Sequence, residues 1–120
     1  MGAPDRGLIV REPWISLILS GKKTWEMRSR STNIRGRIGL IEAGSGLIVG
    51  EVDIVNCFYP LDQSEAKLLI KFHQIKDLSL IAKWNTPWVM SNPKRYDNPV
   101  PYSHPRGAVT WVNLAKQISG

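Results

Sequence analysis

Cysteine is almost missing from this chain: Cys57 is the only one among 120 residues, so no disulfide can form within it. A lone thiol fits a reducing compartment, and a cytoplasmic setting is the expectation. Cys57 lies in the apolar run Val55-Asn-Cys-Phe-Tyr59, where a buried bystander is a better reading than a nucleophile. Histidine is scarce as well. His73 and His104 are the only two, and no Cys-x-x-Cys or His-x-x-x-His spacing is there to gather ligands. Neither a metal nor a cofactor is expected. No apolar run approaches the roughly 20 residues that a membrane span requires, so no membrane partner is expected either. Residues 1–7 lack the charged and apolar regions of a secretory signal and read as a flexible leader. Internal repeats and low-complexity tracts are also absent.

What the chain does have is apolar content of 42%, enough for one packed core at this length. A single domain over residues 8–114 is expected, with 115–120 as a tail. Positive charge is the second asset: 16 Lys and Arg stand against 10 Asp and Glu, a formal net charge of +6. The excess is crowded. Residues 1–37 carry eight basic residues against three acidic ones, and the remainder is close to neutral. A local basic excess is the electrostatic footprint expected for phosphate backbones. RNA, or a nucleoside or nucleotide, is therefore the expected class of partner.

Periodicity places the elements. Leu8-Ile-Val10 is of strand type. Pro13 suits a first helical turn because its missing N–H is not needed there, and Gly21 suits the position after the helix. A helix of about two turns over 13–20 follows. Thr24-Trp-Glu-Met-Arg-Ser-Arg30 alternates, so Trp25 and Met27 share one strand face, expected to be the core. Thr24, Glu26, Arg28 and Arg30 share the other. Strands over 38–42 and 47–59 follow, with Gly50 as a bend. Asp62 or Ser64 is expected to cap a helix reaching His73, with Leu68, Leu69 and Phe72 as its buried stripe. A short helix over 78–83, a strand over 88–90, a Pro-rich ordered loop over 92–107 and a closing strand over 108–114 complete the pattern. Short strands, two or three small helices and no βαβ rhythm predict an α+β domain built on a small, mostly antiparallel β-barrel.

One constellation carries candidate chemistry. Glu26 and Arg28 leave the strand on one face about 6 to 7 Å apart, and Lys23 stands at its beginning. A carboxylate accepts N–H groups from a base edge, while Arg and Lys hold phosphates or ring oxygens. The plain alternative is a solvated strand face with an incidental ion pair, which is worth little. Trp14 and Trp88 are candidates for stacking on a base, an interaction worth roughly 1–3 kcal/mol, with ordinary core packing as the rival for each. His104 is a candidate proton shuttle or an ordinary loop histidine.

The run Arg11-Glu-Pro-Trp-Ile-Ser16, followed by Ser20-Gly-Lys-Lys-Thr-Trp-Glu-Met-Arg28, resembles the signature of the ASCH domain. The family pattern G-x-K-x-x-E-x-R is met by Gly21, Lys23, Glu26 and Arg28. The stretches Trp88-Val-Met-Ser-Asn-Pro93, Pro99-Val-Pro101 and His104-Pro-Arg-Gly-Ala-Val-Thr-Trp111 resemble the family's closing region. The resemblance implies a PUA-like barrel with a cleft beside the first helix, and a role in binding RNA or a modified nucleoside. Residue pattern and resemblance together give as candidate ligand-binding set Trp14, Ser16, Lys23, Thr24, Glu26, Arg28, Trp88, His104 and Arg106. Hydrolysis of RNA or of acetylated cytidine is the enzymatic alternative, with Lys23 and Glu26 as the catalytic candidates. A transcription-related interaction module is a third possibility. In the amidohydrolase branch a Thr nucleophile occupies the place held here by Glu26, so that branch's nucleophile is not matched. Glu65 is the nominee for its helper carboxylate.

Overall fold

A computed structural model describes residues 4–117; positions 1–3 of the expected leader and 118–120 of the expected tail lie outside the described residues. Six strands form one curled sheet: β1 (Arg6–Val10), β2 (Trp25–Arg28), β3 (Gly36–Glu42), β4 (Leu47–Cys57), β5 (Thr86–Pro101) and β6 (Trp111–Asn113). Their order is β2-β5-β4-β3-β1-β6. The β1–β3 pair is parallel and the other pairings are antiparallel. The helices α1 (Trp14–Leu19), α2 (Gln63–Leu68) and α3 (Ile70–His73) are short, and 3-10 turns cover Leu78–Ala82 and Ala115–Gln117. The expected α+β, mostly antiparallel architecture is what the chain adopts, as an open half-barrel.

The alternation of β1, β3 and β4 sorts side chains between an inner core and an outer layer. Leu8, Val10, Ile38, Leu40, Val52 and Ile54 pack inside with Ile15 and Ile18 of α1. Ile41, Ile48, Val112 and Leu114 form a separate cluster. At Gly50 the β4–β5 register shifts, and a Cβ there would lie 2.5 Å from the Lys94 carbonyl oxygen and 2.6 Å from Leu19 Cδ2. Glycine at this bend is therefore a demand of close approach.

Strand β2 has packing on both faces. Met27 joins Ala66, Ile75 and Ile81 under the helices, with Trp25 half-buried at the edge of that cluster. Trp25 stacks on Phe72 at 4.7 Å and meets Phe58 edge-on. Trp25 and Met27 thus pack against a second core made by α2, α3 and the turn after them. Glu26 and Arg28 alternate to the opposite face, toward the barrel mouth.

Four expectations need correction. The helix from Asp62 breaks at Leu69 into α2 and α3, and Leu68 is 80% exposed; Ala66, Ile75 and the buried His73 do the inward packing instead. The expected loop over 92–107 is strand as far as Pro101. Beyond Val89 strand β5 loses its pairing with β2, so it is an edge strand there and tolerates proline. The closing strand contracts to Trp111–Asn113, and Pro13 caps α1 from outside. The Asp62 cap is present: its side chain accepts from the Glu65 amide at 2.8 Å, and Glu65 Oε1 accepts the Asp62 amide at 3.0 Å. Glu65 is thereby committed to a capping box.

Candidate functional site

The short loop after α1 delivers Lys23 into the interior. Gly21 adopts a φ of +85°, and the Lys23 amide donates to the Leu17 carbonyl at 3.0 Å. Lys23 is only 1% exposed. Its ammonium donates to the His73 carbonyl oxygen and lies over the Trp14 ring, 4.9 Å from the centroid. Burial brings its pKa down to about 8, against the pull of Glu26 and with a smaller push from Arg28. His73 beneath it is buried; its Nδ1 accepts from the Ile75 amide at 2.9 Å and its Nε2 faces the Ala66 carbonyl at 2.8 Å. Those partners fix the neutral tautomer with hydrogen on Nε2. Burial is the main cause that lowers the His73 pKa.

Glu26 is 4% exposed and its two oxygens have different fates. Oε2 accepts from Arg28 through Nε at 2.9 Å and Nη2 at 2.8 Å. Oε1 lies 3.9 Å from Lys23 Nζ and accepts no hydrogen bond among the described residues. Arg28 Nη2 also donates to the Ile9 carbonyl of β1 at 2.8 Å. That bond spans the open seam between β2 and β1, which are not neighbours in the sheet. Arg28 is thus a brace across the barrel mouth as well as the partner of Glu26.

These groups face a cleft of about 650 Å³, whose lining includes Arg11, Trp14, Lys23, Glu26, Arg28 and His104. Leu80, Trp84, Ala108, Val109 and Thr110 also line it. The structure therefore brings together five of the residues expected at the site: Trp14, Lys23, Glu26, Arg28 and His104. Ser16 lies elsewhere, with its hydroxyl on Glu12 at 2.6 Å. Thr24 is taken up in pairing, its amide on Phe72 and its carbonyl on Met90. Trp88 is 3% exposed, stacked on Trp111 at 5.9 Å, with its indole N–H on the Arg30 carbonyl. It packs in the core beneath Arg28, so it offers no face for stacking. Arg106 is exposed and does not line the cleft. His104 has both ring nitrogens occupied, one by the Tyr102 hydroxyl at 2.8 Å and one by the Ala108 carbonyl at 2.9 Å.

Sequence reasoning missed Arg11, Trp84 and Thr110. Arg11 opens the very run that carries the family resemblance, which was the available signal. Trp84 and Thr110 reach the cleft only because the sheet curls, and no local pattern announces them.

The model of the ASCH domain matches residues 8–100. The chain belongs to the ASCH domain family. The family is PUA-like and in general RNA-binding. Among solved structures, the ASCH protein from Zymomonas mobilis superposes with a TM-score of 0.67 at 13% identity, covering 80% of this chain and 72% of that one. A mutant form of the same Zymomonas mobilis protein gives 0.67 at 14% identity, covering 92% and 90%. A second mutant form gives 0.63 at 15%, covering 80% and 74%. At such identities the likeness speaks for the fold alone. No curated protein matches the chain by sequence. Within this ASCH domain no helix among the described residues is long and apolar enough to cross a membrane, and no cluster of metal-ligating side chains occurs among them.

Proposed function

We propose that this ASCH domain binds RNA or a nucleoside, seating one base in the cleft of Lys23, Glu26 and Arg28. The observation that carries the reading is the state of Glu26 Oε1. It is a carboxylate oxygen at the floor of a cleft, in a nearly buried residue whose other oxygen is held by Arg28. It has no hydrogen-bond donor among the described residues. No buried side-chain oxygen among the described residues lacks a partner, so Oε1 opens to solvent in the cleft, and a ligand N–H would take the place of water there. Lys23 Nζ, 3.9 Å away, has hydrogens to spare beyond the one on His73. An acceptor beside a donor suits the Watson–Crick edge of a base, where N–H and lone pair alternate. The volume is within the usual range of roughly 300–1,000 Å³ for small-ligand sites.

A second reading, hydrolysis of RNA or of an acetylated nucleoside, is favoured by one observation. A lysine whose pKa is brought down to about 8 inside a cleft is a candidate general base. Binding is the better supported of the two, because Glu26 stands where the amidohydrolase branch has its Thr, and Thr24 does not line the cleft.

The binding reading is tested by calorimetric titration of the protein with the four ribonucleosides and with short single-stranded oligoribonucleotides. At least one should bind, and Glu26→Gln should weaken that ligand. An absence of binding to all of them would remove the proposal.

A further inference from the structure

We infer that the ligand of this cleft carries a phosphate, held by Arg11 at the rim, so that the site takes a nucleotide unit in preference to a bare nucleoside. This rests on the base-binding reading above and goes beyond it in the class of ligand. The charge of the cleft favours a phosphate. Arg11, Lys23 and Arg28 line the cleft against the single carboxylate of Glu26. A neutral nucleoside would leave that excess unanswered, whereas a phosphate offsets it.

The three cations differ in availability. Lys23 is buried against His73 and the Trp14 face, and its remaining hydrogens are those assigned above to the base. Arg28 is committed to Glu26 and to the Ile9 carbonyl. Arg11 alone of the three is exposed and has no hydrogen bond or ion pair from its side chain among the described residues. Its backbone is nevertheless fixed. The Arg11 carbonyl accepts from the Ile15 amide at 3.1 Å, and the preceding Val10 carbonyl accepts from Ala43 at 3.0 Å. A guanidinium on a fixed base can meet two phosphate oxygens at once.

Apolar side chains also line the cleft. Trp84 is 36% exposed, Leu80 37% and Val109 79%. The Lys83 ammonium lies over the Trp84 ring at 4.7 Å. Apolar side chains with an aromatic ring among them suit the sugar and base body of the ligand. The cleft therefore combines hydrogen-bonding groups, apolar side chains and a free cation, and a nucleotide presents a partner for each.

The test compares a nucleoside with its 3′- and 5′-monophosphates by calorimetry, for wild type, Arg11→Gln and Glu26→Gln. Inorganic phosphate alone and a short oligoribonucleotide are run beside them. For wild type, one monophosphate should bind at least about tenfold more tightly than the nucleoside. That ratio should collapse toward one in Arg11→Gln and persist in Glu26→Gln, which lowers both affinities together. Circular dichroism confirms that each variant is folded. The oligoribonucleotide should show the same dependence on Arg11, which places the phosphate in a strand as well as in a free nucleotide. Equal affinity of wild type for nucleoside and monophosphates overturns the inference and leaves the base-binding reading standing. So does a ratio unchanged in Arg11→Gln. If wild type binds neither nucleoside nor nucleotide nor oligoribonucleotide, both fall together.

Discussion

Arg28 holds Glu26 by a single oxygen, with Nε at 2.9 Å and Nη2 at 2.8 Å from Oε2, and so turns the other oxygen toward Lys23 and the cleft. The same guanidinium ties β2 to the Ile9 carbonyl of β1. One side chain therefore closes the seam of the half-barrel and sets the orientation of the candidate site. Stability and ligand geometry are coupled through it.

Removing Arg28 should cost stability beyond a surface ion pair, because it strands a nearly buried carboxylate. Arg28→Met should lower the unfolding free energy by about 3 kcal/mol, measured by urea denaturation. Arg28→Lys should recover only part, since an ammonium cannot reach Glu26 and Ile9 with the same fork. The double variant Glu26→Leu, Arg28→Met should be less damaged than the single Arg28→Met, as the stranded charge is gone. A single variant within about 0.5 kcal/mol of wild type would show that the brace is not needed.

Lys23 gives a pH dependence whose sign can be worked out. Its pKa is about 8 in the fold against an ordinary value of 10.5. Between those values the unfolded chain holds a proton that the folded chain has lost. Stability rises with pH wherever the unfolded state holds more protons. Relative to Lys23→Met, wild type should thus gain up to about 3 kcal/mol as pH rises from about 7.5 to about 10.5. Taking the difference between the two proteins cancels the other groups that titrate in that range. A difference that stays flat across the window would mean that Lys23 is not desolvated in solution.

The close approach at Gly50 predicts a large effect from one methyl group. In Gly50→Ala the new Cβ meets the Lys94 carbonyl oxygen, a backbone atom that can yield only by moving β5 away from β4. Overpacking of this kind costs typically 1–3 kcal/mol, and the upper part of that range is expected. Thermal unfolding followed by circular dichroism measures it. An unchanged melting temperature would show that the strands separate locally without penalty.

Some of this was legible in the sequence. Strands β1, β3 and β4 and helix α1 carry their own alternation or apolar face, and the alternation of β2 put Glu26 and Arg28 together. The second face of β2 was not legible, because Trp25 and Met27 pack against helices more than thirty residues further along the chain. The Pro-rich stretch misled for a physical reason. Proline argues against a strand only where its missing N–H would be used, and β5 is an edge beyond Val89. Arg37 was equally hidden. It belongs to the basic stretch by composition, yet Glu51 at 2.9 Å and Asp53 at 3.3 Å hold it. Glu51 is in turn kept acidic chiefly by the Tyr96 hydroxyl. Arg37 therefore serves the β3–β4–β5 face, and the basic excess that can meet a ligand is smaller than the count suggests.

Glu26→Gln separates recognition from catalysis. If Glu26 Oε1 accepts a ligand N–H, the amide side chain replaces one acceptor by a donor and loosens the Arg28 grip. Affinity for the preferred nucleotide should fall by about 1–3 kcal/mol, and no product should form with wild type or variant. Lys23→Ala should weaken binding in parallel, since its ammonium is the neighbouring donor. If Glu26 or Lys23 is instead a general base, the same substitutions should leave affinity nearly intact while hydrolysis falls about 10²-fold or more. Thr110→Val refines the outcome, because Thr110 carries the one hydroxyl side chain lining the cleft among the described residues. Loss of turnover there would point to a covalent nucleophile, and retained turnover to activated water. The measurements are calorimetric affinity and chromatography of products from RNA and from acetylated cytidine. Recognition is the expected outcome. Robust cleavage by wild type, lost in Glu26→Gln at unchanged affinity, would replace it with hydrolysis.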